Sequence, residues 1–273
     1  MIDAGTHAAD VDHWRHGRYE VLLRDRSWLT LAGLSWLRRG VNRVGSAPDN
    51  DIVLPGGPPH AGTLTVADEG VTAHGHFTHE GAPVRELPLR DDHAPQAEPT
   101  LLELDRLQMI VIRRGDRLAL RTWDLDARQR RDFTGIDHWP VDAGWRLEAR
   151  LEPTPGRTLH VPDVLGPGYD ETSPGDVVFA LGGTEHRLQA LPGGPDGSLW
   201  LVFGDETNGS QTYAGGRFVY TEAPQADGRV ILDFNRAYNP PCVFSPYATC
   251  PLPWPDNRLP VRVEAGEMAY RRP

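Results

Sequence analysis

Lysine is absent from this chain, so every one of its 28 basic residues is an arginine. Arginine-favouring codon usage is the bland cause, but the chemical consequence is the same whatever the cause. Without a lysine amine there is no Schiff base, no pyridoxal phosphate anchor, no phosphate-loop lysine and no Ser-x-x-Lys nucleophile pair. The Gly-x-Ser-x-Gly, His-Glu-x-x-His, Gly-x-Gly-x-x-Gly and Cys-x-x-Cys motifs are also missing. That removes the commonest hydrolase, protease, dinucleotide and thiol-redox signatures. No apolar run approaches the ~18–20 residues of a membrane-spanning helix, and the mean hydropathy is −0.46. The opening residues MIDAGTHAADVDHWRHGRYE have neither the apolar core nor the small-residue cleavage site of a secretory signal. Basic surplus is lacking too: the net charge is −10, and no run of arginines alternates with aromatics. A nucleic-acid binder needs a concentrated basic footprint to replace counterions on phosphate. These absences predict a cytoplasmic protein that contacts neither membrane nor nucleic acid.

What is present is ordinary for a globular chain: 273 residues, 39% hydrophobic and 24% charged, enough for one large β domain or two smaller ones. Asp10 is placed to cap a helix in which Val11, Trp14, Arg18 and Leu22 recur at helical spacing to about Asp25. The apolar run 27–37 has mixed period and reads as a second helix laid on a β core, with Trp28 and Trp36 as packing anchors. From Val41 the texture turns to short β-favouring pieces cut by glycine, proline and aspartate at spacings of roughly 8–12 residues, the pattern of an antiparallel sandwich or barrel. Residues 124–140 are polar and irregular. Further strands follow, among them 145–151, 176–180, 185–190, 199–203, 217–220, 230–235 and 261–264. The predicted fold is mainly β: an amino-terminal helical segment (1–40) and two packed antiparallel sandwich or barrel units (41–140 and 141–273).

The chemistry concentrates between Phe203 and Glu267. Asp205 follows the apolar strand ending at Phe203, while Asp233 and Asn235 share one face of a later strand by its period of two. Side chains leaving strand ends and converging over a loop are how β folds build small-molecule sites. The same residue types beside glycine and proline also tie down turns by bonding to backbone, and both readings stay open. Arg217 beside Tyr213 offers a guanidinium fork and a phenol, suited to carboxylate or phosphate, although a pair with Asp233 or Asp205 would use the same atoms. Cys242 and Cys250 flank seven residues of a proline-rich loop and are open to three states: thiols, a disulfide or metal ligands. A reducing compartment favours the thiols. His74 and His76 point the same way from one strand, the arrangement of a solvated face as well as of a metal grip, and no metal site is assigned.

By Asp205-x-Thr-Asn-Gly, Thr212-Tyr-Ala-Gly-Gly-Arg217, Asp233-Phe-Asn-Arg-Ala-Tyr-Asn-Pro-Pro-Cys242 and Ala248-Thr-Cys-Pro-Leu-Pro253, the chain resembles a bacterial family known as domain of unknown function 1684. Trp28-Leu-Thr-Leu-Ala-Gly-Leu and the closing Ala265-Gly-Glu267 extend that resemblance. It implies no activity. A weaker similarity in Asn42-Arg-Val-Gly-Ser46, Asp49-Asn-Asp-Ile-Val-Leu54 and His60-Ala-Gly62 looks like the opening of a forkhead-associated domain, a β-sandwich that reads phosphothreonine. That family holds the phosphate with an arginine after the glycine and a serine before the histidine. Ser46 and Pro59 stand there instead, a departure that bears on phosphate binding rather than on fold.

The functional expectation is a polar pocket in the carboxy-terminal half that binds, or also transforms, a small anionic or polyhydroxylated molecule. In it Tyr213 and Arg217 orient the ligand, with Asp233, Asn235, Asn239, Thr207 and Asn208 as hydrogen-bonding partners. Asp205 and Glu267 are the candidate catalytic carboxylates, Glu267 as an acid or base raised by a second carboxylate. No cofactor can be named. The rival reading is a non-enzymatic module whose forkhead-like half docks a protein partner. The pocket reading requires a hollow between these side chains, and it predicts that Arg217→Ala leaves a folded protein unable to bind.

Overall fold

The short β-favouring pieces pair into open antiparallel sheets in a computed structural model that describes residues 4–94 and 98–271. The chain divides into two units, each with its own apolar core. One comprises Val21–Phe133 with Ser245–Ala248; the other takes the chain up to Glu20, Thr134–Phe244 and everything from Thr249 on.

In the Val21–Phe133 unit, a six-stranded sheet runs in the order Leu31–Trp36, Arg117–Asp124, Leu107–Arg114, Leu102–Leu104, Thr78–His79, Ala82–Pro83. A five-stranded sheet runs Ile52–Val53, Gly40–Gly45, Gly62–Ala67, Gly70–Gly75, Leu87–Leu89. Alternation decides what each strand buries. Val44, Ile52, Leu64 and Ala73 from one sheet join Leu107, Met109, Val111 and Leu120 from the other in a single cluster. The register is fixed by a hairpin in which Arg114 faces Arg117 across Gly115-Asp116. The one parallel pair among the described strands, Gly40–Gly45 with Ile52–Val53, departs from the antiparallel expectation.

The run 27–37 is not a helix. Leu31–Trp36 is a strand paired antiparallel to Arg117–Asp124, with Leu34 opposite Arg121 and Ser35 opposite Leu120. A short apolar run of mixed period does not distinguish a buried helix from a strand, and here the sheet partner decides. The amino-terminal helix is Ala4–Leu22, starting before the Asp10 cap expected for it. The expected strand at 261–264 is also absent. That segment runs without a ladder, and its carbonyls serve other groups: Val261 O accepts from Glu206 N, and Val263 O from Arg217.

The second unit holds a four-stranded sheet, Thr184–Gln189, Gly175–Leu181, Arg146–Pro153, Arg229–Asp233, and a three-stranded one, Leu191–Pro192, Leu199–Phe203, Arg217–Tyr220. Thr158–Val161 and Tyr169–Thr172 form a separate pair. Val177, Phe179, Leu188, Leu201, Phe203, Val219, Leu232 and Phe234 fill the core between the larger sheets. Phe234 is its aromatic hub, edge-on to Phe179 and Phe203 at 5.7 and 5.3 Å. No described sheet closes into a barrel.

Candidate functional site

Arg217 opens its strand opposite Phe203, and its side chain is entirely buried. Nη2 donates to Asp205 Oδ2 at 2.8 Å and to the Val263 carbonyl at 2.7 Å; Nη1 donates to the carbonyls of Ala265 at 2.5 Å and Glu267 at 3.2 Å. The rings of Trp139 and Phe203 flank the guanidinium at 5.3 and 5.5 Å. Burial lowers the proton affinity of Arg217, and the Asp205 charge opposes that. Asp205 Oδ1 in turn accepts from the amide and hydroxyl of Thr207 at 2.7 and 2.5 Å. Thr207 and Thr212 share a hydroxyl contact at 2.7 Å, and Asn208 Nδ2 donates to Thr212 at 2.8 Å while its oxygen accepts from Asp205 N. Arg217, Asp205, Thr207 and Asn208 are thus brought together and bond mainly to one another and to backbone, while Arg217 Nε stays buried without a hydrogen-bond partner. Both terminal nitrogens of Arg217, expected to orient a ligand, are engaged within the protein. Tyr213 is half-buried and no hydrogen bond links it to Arg217 among the described residues.

Glu267 is also sealed from solvent, and among the described residues its side chain bonds to Arg18 and Asn239. Its Oε1 accepts from Arg18 Nε, and its Oε2 accepts from Arg18 Nη2 at 3.4 Å and Asn239 N at 2.7 Å. Arg18 reaches on to the Asn239 carbonyl at 2.9 Å, and Asn239 Nδ2 donates to Met268 O at 2.8 Å. Glu267 is the counter-ion that anchors the helix, which corrects its reading as a carboxylate-paired acid or base. Gly266, between two residues whose carbonyls receive Arg217, has φ 78°, a left-handed conformation, and a Cβ there would collide with Ala237 and lie 2.9 Å from Phe234 O. Gly266→Ala is therefore expected to cost more than ~2 kcal/mol in urea unfolding, beyond the ordinary entropic gain of losing a glycine.

Asp233 ends its strand and caps the 3₁₀ turn Phe234–Arg236, so Asn235 sits in that turn and not on the same strand face. Asp233 Oδ1 accepts from Asn235 N and Nδ2 at 3.0 and 2.8 Å, and Oδ2 lies 2.7 Å from His7 Nε2. Asn235 also bridges both backbone groups of Asp142, at 2.9 and 3.0 Å. His7 and Arg18 escaped the sequence reading as site residues. They extend the stripe of Val11 and Trp14 at helical spacing, and polar residues within an apolar stripe are the signal that would have exposed them.

Room exists elsewhere. A 100 Å³ cavity is lined by Trp14, Tyr220, Glu222, Asp233, Arg236 and Tyr238, with Thr221 and Ile231 completing its wall. Tyr220 and Tyr238 stack at 6.1 Å and 10°, and Trp14 tilts against Tyr238 at 6.4 Å. Burial raises the Tyr238 phenol well above its ordinary value. Arg236 Nε is buried without a hydrogen-bond partner, 4.0 Å from Asp233 Oδ2. A wider cleft of 610 Å³ runs between Tyr19, Thr134–Asp137, Ser210, Gln211 and Met268–Arg271. Its polar wall is largely occupied: the Tyr19 hydroxyl bonds to both backbone groups of Ile136, Met268 N donates to Asp137 O, and Ala269 N donates to Gln211 O.

Cys242 and Cys250 form a disulfide, Cα to Cα 6.2 Å, in place of the thiols favoured from the sequence. Among the described residues no group of three or more His, Cys, Asp or Glu is placed to hold a metal, and His74 bonds through Nδ1 to the Arg85 carbonyl. No helix of the described residues is long and apolar enough to cross a membrane.

The chain belongs to the family described as Protein of unknown function (DUF1684), which matches residues 131–268. That range holds Asp205, Arg217, Asp233 and Glu267, while their helix partners His7 and Arg18 lie outside it. Among solved structures, the solution NMR structure of the uncharacterized protein from gene locus rrnAC0354 of Haloarcula marismortui is 31% identical, covering 51% of this chain and 78% of that one, with a TM-score of 0.42. No curated protein matches.

Proposed function

We propose that the family unit binds a small polyhydroxylated molecule, or the hydroxylated end of a larger one, in the cavity of Trp14, Tyr220 and Tyr238. The observation that carries the reading is the juxtaposition of aromatic faces with charged groups around one hollow. Stacked Tyr220 and Tyr238 lie beside Asp233, Glu222 and Arg236. Flat aromatic faces accept the C–H side of a polyol or sugar ring, while carboxylates accept its hydroxyl protons. Asp233 uses three of its ~four acceptor positions internally, which leaves one for the cavity. Arg236 adds a positive charge to the cavity wall, suited to a ligand that also carries an anionic group. A volume of 100 Å³ accommodates several waters or a short hydroxylated fragment, and Tyr220 is exposed enough to let the rest of a ligand lie outside.

The rival reading, protein docking at the forkhead-like loop, calls for a basic apex. Ser46 Oγ instead donates to Gly57 O at 2.8 Å, and His60 faces Asp49 at 3.9 Å. The test is a calorimetric titration of the full chain against a panel of polyols, sugars and sugar acids, repeated with Tyr220→Ala and Glu222→Gln. Both side chains are largely exposed, so neither change threatens the fold. Tyr220→Ala is expected to weaken a binder about 5–10-fold, the value of one stacking contact. A panel with no saturable binder at millimolar concentration, or a binder indifferent to both substitutions, would overturn the reading.

A further inference from the structure

Arg121 presents a positive charge in an apolar setting, in no ion pair among the described residues. It lies on the strand Arg117–Asp124 between Ile110 and Leu34 of the neighbouring strands. Ile110, Ile112 and Ala119, which line its surroundings on the sheet, are themselves buried at 7%, 0% and 0% exposure. The Arg121 residue retains only 8% of its surface, and its Nε is sealed without a hydrogen-bond partner. No ion pair among the described residues includes it, although most other arginines of the unit, among them Arg38, Arg39, Arg43, Arg106, Arg113 and Arg114, reach an aspartate. The Trp28 ring, 5.7 Å from its Cζ, holds the guanidinium plane in place. The charges that act on it are Arg114, which is itself a cation, and Asp92, whose Oδ2 is already bound by Arg114 at 2.8 Å.

A guanidinium withdrawn from water loses hydration that neutral waters do not replace and that an opposite charge does. Its planar fork is preorganised for two oxygens of one anion, and the apolar surround strengthens that attraction relative to water. Among the described residues the two terminal nitrogens make no hydrogen bond, and the residue as a whole keeps 8% of its surface toward solvent.

We infer that Arg121 forms a binding site for a small oxyanion, a phosphate or carboxylate group, in the Val21–Phe133 unit. The site is separate in composition from the Tyr220 cavity and stands or falls independently of it.

The experiment is thermal unfolding of the full chain in a phosphate-free buffer, titrated with inorganic phosphate at constant ionic strength, for the wild type, Arg121→Met and Arg121→Gln. The wild type is expected to show a saturable rise of several degrees with a midpoint in the millimolar range, and both variants are expected to show none. A parallel titration with acetate distinguishes a general carboxylate site, which responds to both ions, from one selective for phosphate. An equal rise in wild type and Arg121→Met would identify a nonspecific salt effect and overturn the proposal; so would a wild type that does not respond to either ion. ³¹P line broadening of phosphate that persists in Arg121→Met would also overturn it, whatever the melting curves show.

Discussion

Replacing Asp205 with asparagine is expected to cost the family unit about 3–5 kcal/mol, the usual loss when one partner of a buried ion pair is removed. Both side chains of the Asp205–Arg217 pair are fully sealed, so water cannot step in for the missing charge. The neutral amide would leave the guanidinium facing three carbonyl dipoles and no anion, while burial continues to disfavour its charge. Arg217→Met is expected to cost as much for the complementary reason: it strands Asp205 and removes the donor shared by the carbonyls of Val263, Ala265 and Glu267. Those carbonyls belong to a segment whose backbone pairing is limited to the bridge of Glu267 with His138 and a few loop bonds, so the arginine satisfies acceptors that a ladder would satisfy elsewhere. The double variant Asp205→Leu with Arg217→Met should recover part of the loss, because an apolar pair avoids the desolvation of both ions. Urea unfolding followed by tryptophan fluorescence measures all three. Single-variant costs under ~1 kcal/mol would mean that the pair is hydrated and that the carbonyls find other donors.

This outcome also separates the two uses of the same residues that the sequence leaves open. A ligand-holding arginine, once truncated, gives a stable protein that no longer binds. A structural one gives a protein that unfolds early. The sequence shows an inventory of donors and acceptors at positions 205–217 but not whether they face one another, because that depends on partners such as Ala265, 48 residues away, and Arg18, 249 residues from Glu267. Local alternation was legible: the strands Leu199–Phe203 and Arg217–Tyr220, bounded by glycine or polar turns, lie where the pattern places them. Leu31–Trp36 was not legible, since its apolar run is compatible with helix or strand until the partner strand Arg117–Asp124 is known. The aromatic cavity escaped for the same reason. Trp14 comes from a helix far away in sequence, and Tyr220 and Tyr238 become neighbours through the backbone bridge between Phe218 and Tyr238, which no spacing reveals.

Arg121→Met is expected to do the opposite of the Asp205 exchange and stabilise the protein, by about 2–3 kcal/mol in anion-free buffer. Desolvation is the main cause of its altered proton affinity, pushing its pKa down from the ordinary guanidinium value to about 10, with the Arg114 charge acting in the same direction and Asp92 opposing it. At ~1.36 kcal/mol for each tenfold change in proton affinity, carrying that proton costs the folded state about 3 kcal/mol. The sign follows from linkage. Between about 10 and the ordinary guanidinium value the unfolded chain binds more protons at this residue than the folded one, so stability rises with pH there; below about 10 the full cost applies. Every neutral condition therefore carries the penalty, and methionine, which keeps the length of the stem without the charge, removes it. For a transition of ~100–150 residues the gain corresponds to a melting temperature higher by roughly 10 °C. Phosphate should narrow the difference between wild type and variant, because it stabilises only the protein that retains the guanidinium. A variant that melts at or below the wild-type temperature in anion-free buffer would mean that Arg121 is already neutralised, and the charge would then have to be sought in a partner already bound to the purified protein.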